Sequence, residues 1–402
     1  MSCVAYMAAL TACGWVAFDL HHHSSTVGLV VFASFLPSLI ITPFAGVFTD
    51  RYDRRTMLLT MNAIGLLATL GLAWLAWTGD HSAWPLAVAS FVLGASRSSS
   101  TPMEQAMLGS LVPARDLLSA VSLLQANVNG ARLLGPLLAA PLLHVSGGAV
   151  AFLVAAVLFA LAFWAIWVLG EVPHQRSGSD HNAFRQFAQG VRYVLHAPVV
   201  SAVIALVFLH CAFTMGYDAA LPRRASDVVG ATGTAYSVLM MAMGTGSLAG
   251  GFLLAGFARR VHFGYLLFAT SILSGLTLVP LGYAASWPGT LLAAAAVGLT
   301  QSVFIALATT SLQIATPDHV RGRVLGLYWG ATGGVMAISN LATGRLADGL
   351  GAGPTLALPG LAFGVVTALT LCAPTLREVY GRRLVGTSNR RPAEPIAVAA
   401  EP

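Results

Sequence analysis

The sequence predicts an all-α integral membrane protein, with twelve transmembrane helices in two pseudo-symmetric six-helix bundles, and three observations carry that prediction. Only 9% of the 402 residues are charged while 56% are hydrophobic, with a mean hydropathy of +0.76, far from the roughly 25% charged residues of a soluble domain. Apolar runs long enough for the ~20 residues that a helical crossing needs recur along the chain, separated by short polar or Gly/Pro-marked breaks. The segment GVFTDRYDRR, Gly46 to Arg55, returns 205 positions later as GFLLAGFARR, Gly251 to Arg260, keeping the glycine and the paired arginines. A water-soluble globule is excluded, and a duplicated membrane unit is expected.

The spans fall at 3–18, 27–48, 56–77, 84–108, 117–143, 149–169, 199–217, 235–257, 263–283, 289–314, 324–347 and 354–375. The first is short and starts almost at Met1. It reads as a real helix, because no basic segment precedes it and no small-x-small cleavage site follows; a truncated start and a cleaved signal peptide are the alternatives.

Orientation follows from arginine, since all 21 basic residues are Arg. Loops after even-numbered spans hold Arg51, Arg54, Arg55, Arg115, Arg176, Arg185, Arg192, Arg259, Arg260, Arg321 and Arg323, and the opposite loops only Arg223, Arg224 and, at a helix end, Arg345. By the positive-inside rule both termini are cytoplasmic. The Arg-only, Ala- and Gly-rich usage fits a high-GC bacterial gene and a plasma (bacterial inner) membrane location. The net charge of +6 is then a topogenic signal, and its scatter over several loops argues against nucleic acid as a partner.

The halves are expected at 1–169 and 199–376, joined by a cytoplasmic linker at 170–198 and followed by a disordered cytoplasmic tail at 377–402. Within the linker Phe184, Phe187, Val191 and Val194 or Leu195 recur at helical spacing, with Arg185, Gln189 and Arg192 off that face. That pattern predicts an amphipathic helix on the membrane surface, an ordinary solvated connector being the alternative. Pro113 and Pro317, 204 residues apart, each open the connection after the fourth helix of their half. Duplicated halves of this kind form one architecture of secondary transporters, with the substrate site near the midplane between them.

Charge is unevenly spread among the spans. Spans 3, 6, 9 and 12 carry no Asp, Glu, Arg or His, whereas spans 4, 5, 7 and 11 hold Arg97, Glu104, Arg132, His210 and Arg345. A charge in hydrocarbon costs at least ~2.5 kcal/mol, so those helices are expected to face a cavity or one another. Arg97, Arg132, His210 and Gln301 are the cavity and substrate candidates, against the alternative that each serves only packing. Asp19, Glu104, His210 and Asp218 are the proton-coupling candidates, His210 because imidazole titrates near physiological pH. His21, His22 and His23 form a solvated outer loop, and no metal site or cofactor is expected. Cys3, Cys13, Cys211 and Cys372 show no CxxC spacing. A chain without Lys has no Walker loop, and nothing in it points to an enzyme.

The GxxxDRxxRR pattern at Gly46 to Arg55 resembles the loop motif of the major facilitator superfamily. PMEQAMLGSLVP at 102–113, ARLLGPLLAAPLL at 131–143 and PDHVRGRVLGLYWGATGG at 317–334 are similar to the subgroup that includes the enterobactin exporter and macrolide efflux proteins. The resemblance implies the major facilitator fold and a cytoplasmic gate built from Gly46, Asp50, Arg51, Arg54, Arg55 and Glu104. Gly46 lets two helices approach closely. Asp50 is placed to sit at the N-terminus of span 11, where a helix dipole stabilises a carboxylate, and Arg54 or Arg55 would pair with Glu104. The second copy has Ala255 and Gly256 where the first has the Asp and its Arg, so the acidic latch exists once. Gly130, Gly135 and Pro136 resemble the Gly-Pro block of antiporters on helix 5, and Leu93 with Arg97 is faintly similar to the family's LxxxR motif.

Together these features predict a monomeric secondary transporter that exports a small organic molecule, such as a drug, siderophore or secondary metabolite, by proton antiport. Its partners are the substrate, protons and membrane lipid. An uptake permease of the same fold and a non-transporting membrane sensor or assembly partner are the alternatives.

Overall fold

The computed structural model describes residues 1–42, 53–79, 82–111, 117–146, 148–169, 183–230, 232–257 and 263–372. Gly46, Asp50, Arg51, the 170–182 segment and the 377–402 tail lie outside them. The described chain is all α-helical apart from two short 3-10 turns. In order it runs α1 (Ser2–His21), α2 (Ser24–Ile41), α3 (Arg54–Thr78), α4 (Ala83–Leu111), α5 (Leu117–Ser146), α6 (Gly148–Val168), α7 (Ala183–His196), α8 (Pro198–Thr214), α9 (Leu221–Val229), α10 (Gly233–Phe257), α11 (Phe263–Leu276), α12 (Leu278–Tyr283), α13 (Trp287–Ala315), α14 (Asp318–Leu350) and α15 (Ala352–Leu369).

Nine segments among the described residues are long and apolar enough to cross a membrane, and the chain is a multi-pass membrane protein. The long helices outside those nine are α4, α5 and α14. They carry Arg97 with Glu104, Arg132, and Arg345 with Asp348 respectively. The charge that lowers their hydropathy also keeps them from an all-lipid environment, since hydrocarbon penalises it.

One predicted span is broken by proline. Pro280 has no N–H to give the carbonyl of Leu276, so α11 ends there and the chain restarts as α12. Pro222 sits in the first turn of α9, where a helix needs no N–H. After α8 the chain tightens into the 3-10 turn Met215–Ala219 and turns into α9, an element the sequence reading missed. The backbone freed at this break is answered from α14: Asn340 Oδ1 accepts the Ala219 N–H at 3.1 Å, and Asn340 Nδ2 donates to the Met215 carbonyl at 3.0 Å. Irregular backbone inside a membrane protein needs such partners, because lipid supplies none.

Within the first six helices α1 packs on α5, α6 and α2, α3 on α6 and α4, and α2 on α4. Beyond residue 198, α13 packs on α10 and α11, α15 on α11 and α12, and α8 on α13, α14 and α15. Two long seams join the sets, α2 against α14 and α5 against α10. The linker helix α7 has protein beneath it. It lies on α14 and α8, with Gly190 against Leu327 and Arg323, and Arg323 Nη1 donates to Gln189 Oε1 at 2.9 Å. Leu195, one of its expected apolar anchors, is exposed.

Glycine spacing shows how tightly each seam closes along its length. A methyl at Gly28 would sit 2.6 Å from the Asn340 carbonyl oxygen, and one at Gly344 would sit 2.5 Å from that of Ser24. Toward the other end of the same seam, one at Gly326 would be 3.8 Å from Thr42, and Gly322 meets nothing within 4 Å among the described residues. The α5–α10 seam behaves alike: 2.8 Å from Gly233 to Leu143, 2.7 Å from Gly244 to the Arg132 carbonyl, 4.0 Å from Gly251 to Asn129, and nothing at Gly256. Both seams are tight at the end that carries Ser24 and Asp348, and the described contacts nearer the other end, at Gly326 and Gly251, are at van der Waals distance.

Candidate functional site

The seams bring polar groups near one another. Arg132 lies midway along α5. Gly135, Pro136, Ala139, Ala140 and Leu143 are buried on the helix face it shares, whereas Leu134, Leu137, Leu138 and Pro141 are exposed on the opposite face. Arg132 is nonetheless exposed, so open space adjoins the packed face of α5 there. Across the α5–α10 seam, Asp218 in the 3-10 turn after α8 is half-buried and within electrostatic reach of Arg132. Tyr217 lies in the same reach, and Cys3 of α1 feels both Arg132 and Arg97. The 3-10 turn after α8 therefore carries a carboxylate that feels the charge of the α5 arginine.

A second charged pair lies on α4. Arg97 Nη1 donates to Glu104 Oε1 at 3.0 Å and Oε2 at 3.3 Å, with the side chains only 15% and 20% exposed. Seven residues are two helical turns, which puts both groups on one face. This corrects the expectation that Glu104 pairs with Arg54 or Arg55. Arg55 caps α6 instead, donating from Nε to the Ile166 carbonyl at 3.4 Å and from Nη2 to that of Trp167 at 2.8 Å. Guanidinium charge at a helix C-terminus satisfies carbonyls that have no partner within the helix. Arg97, read as a cavity and substrate candidate, has its charge neutralised within its own helix.

Two other candidates sit away from this space. His210 is fully buried between Phe304, stacked at 4.2 Å between ring centroids, and Phe363 at 5.3 Å, inside the core of the second half, with no protein partner at either ring nitrogen. Gln301 is buried too, and its Nε2 donates to the Thr214 carbonyl at 3.3 Å, tying α13 to the end of α8. Both pack the second half. Asp19 is exposed near the end of α1. Gly135 permits the α1–α5 contact, a methyl there meeting Met7 at 2.5 Å; Gly130 meets nothing within 4 Å among the described residues, and α5 continues through Pro136. Arg345 stays within α14.

Sequence reading passed over two carboxylates. Asp53 caps α3, accepting from the Thr56 N–H at 2.8 Å and its hydroxyl at 2.7 Å; the Asp-x-x-Thr spacing before an apolar run was the available signal. Asp348 reaches from the end of α14 to the start of α2, and only the tertiary fold puts those ends together. A cavity of about 610 Å³ is an apolar groove between α3 and α4 lined by Leu67, Gly71, Leu75, Trp84 and Val88. It holds none of the charged groups above and is not the candidate site.

The pattern of the transmembrane secretion effectors matches residues 1–400. The chain belongs to that family. Among its relatives are the multidrug efflux pump Tap of Mycobacterium tuberculosis, 24% identical over 387 residues and matched over 92% of this chain and 90% of Tap, and macrolide efflux protein A of Streptococcus pyogenes, 22% identical over 349 residues, 86% of this chain and 85% of that protein. This secretion effector has the fold of a crystallised D-xylose–proton symporter, with a TM-score of 0.75 at 13% identity over 95% of this chain and 97% of the symporter. A POT family transporter solved with 5-aminolevulinic acid gives 0.72 at 11% identity, over 93% and 95%. The effector is thus a membrane transporter of the major facilitator fold, not an enzyme, related to efflux families as a broad group rather than to one named exporter.

Proposed function

We propose that this transporter exports a small organic molecule by proton antiport, through alternating access of two six-helix bundles, α1–α6 and the helices after residue 198, with both termini in the cytoplasm. The observation that carries the reading is the exposed Arg132 on the inward face of α5, opposite Asp218 across the seam. A cationic group and a carboxylate held on different halves form an element whose spacing changes when the halves rock. Binding a proton at Asp218 removes its attraction for Arg132 and leaves the arginine free for an anionic or polar substrate group. Arg97–Glu104 supplies a second exchangeable pair on α4. With the termini cytoplasmic, the tight ends of the seams face outward and the loose ends face the cytoplasm, the side from which an exporter loads. The loop motif around Gly46, Asp50 and Arg51 is read as the cytoplasmic gate. The efflux pumps among the relatives support the outward direction.

The deciding experiment is an efflux panel of drugs, siderophores and organic anions in a pump-deficient host, with and without an uncoupler. Efflux abolished by the uncoupler is the expected result. Inward accumulation would replace the reading with uptake, and absence of flux for every compound would favour a sensor or assembly role. Arg132→Ala is expected to lose transport of anionic substrates, and unaltered accumulation of all of them would remove the site assignment.

A further inference from the structure

We infer that Asp348 is an outer latch: its carboxylate, at the end of α14, closes the outward side of the transporter by capping the N-terminus of α2. Asp348 Oδ1 accepts the Ser24 N–H at 2.6 Å and Oδ2 accepts the Ser25 N–H at 3.0 Å. Those are the first two amides of α2, which have no acceptor inside their own helix. The carboxylate therefore answers two unpartnered donors and lies at the positive end of the helix dipole, with a bond between halves as the result. Arg223 of α9 approaches Oδ1 at 3.7 Å and His23 approaches Oδ2 at 3.8 Å. Arg223 comes from the same half as Asp348 and holds the carboxylate toward α2; His23 comes from the opposite half.

The latch sits where the seam is tightest. Immediately below it Gly28 and Gly344 bring the two backbones together, so α2 and α14 separate only if the two amide bonds and this contact break together. With that end facing outward, the Asp348 cap stabilises the inward-facing state.

The outward direction assigned to this end rests on the proposed orientation and alternating access. The test needs no substrate. In the Cys372→Ser background, spin labels at His22→Cys and Leu350→Cys, both at exposed positions of the latch end, report the separation of α1 and α14 by pulsed dipolar spectroscopy in nanodiscs. Asp348→Ala is expected to raise the long-distance population about tenfold, the size of losing charged hydrogen bonds to a helix terminus. Ser24→Pro is the second variant. It deletes one of the two amides at a position where a helix tolerates proline, and His23 already has the extended backbone that a residue before proline needs. It is expected to act in the same direction with a smaller shift. Unchanged distance distributions in both variants would overturn the latch. A shift in a chain that exports nothing would uphold the latch and reject the exporter reading, so the two fail separately.

Discussion

The two ends of the seam between α2 and α14 differ in a way that accounts for the state of the whole molecule. At the Ser24 end, glycine faces backbone with no room for a methyl, and Asp348 bridges the halves through two amides. At the Gly326 end, the described backbones stand apart and no comparable bridge is seen among the described residues. The α5–α10 seam repeats the gradient with Gly233 and Gly244 tight and Gly251 open. Small residues are what allow such closure in a membrane, where packing and polar bonds, not hydrophobic burial, drive helix association.

The comparison is broken most severely by filling the tight end. Gly28→Leu is expected to hold the seam open and reduce transport by about 5- to 100-fold, an overpacking cost of ~1–3 kcal/mol, while Gly326→Ala keeps transport within about twofold because its nearest neighbour is already at van der Waals distance. Equal losses from both, measured as initial efflux rates at matched expression, would show that the gradient has no functional meaning.

In stability, as distinct from transport rate, the largest effect belongs to Glu104→Gln, which leaves Arg97 with a neutral partner. About 3–5 kcal/mol of destabilisation is expected for a broken buried pair, read as a lowered Tm in detergent, with Arg97→Gln/Glu104→Gln together recovering part of it. A double variant no more stable than the single one would mean the pair is not coupled. Asp53→Ala removes the α3 cap and is expected to cost about 1 kcal/mol, with no change in the dipolar distances at the latch end. The smallest effect belongs to the open end. Gly322→Ala is expected to stabilise α14 by roughly 0.5–1 kcal/mol, since a helix interior gains from alanine where space is free; a lowered Tm would show that α14 has a close neighbour there.

Much of this was legible in the chain. The spans were readable because each crossing must satisfy its own backbone bonds, which makes helix length and apolarity local properties. Charge on spans 4, 5 and 11 fell on α4, α5 and α14, the long helices outside the nine most apolar segments, and family membership followed from motifs that survive in sequence. What failed were pairings. Glu104 was assigned to the loop arginines because a motif was followed, whereas the seven-residue spacing to Arg97 was in plain view. His210 and Gln301 looked like cavity residues because polarity inside a span was counted without knowing which way it pointed; they face aromatic rings and a backbone carbonyl in the second half.

The sequence by itself determined the membrane class, most of the helices and the family, all of which rest on composition and on short local spacings. Only the tertiary structure decided that Asp218 lies within electrostatic reach of Arg132, that Asp348 caps a helix 324 residues earlier in the chain, and that Gly28 and Gly344 bring α2 and α14 together beside that cap. Those facts depend on which helix ends meet when two halves pack, and no local pattern of residues encodes the meeting of distant ends.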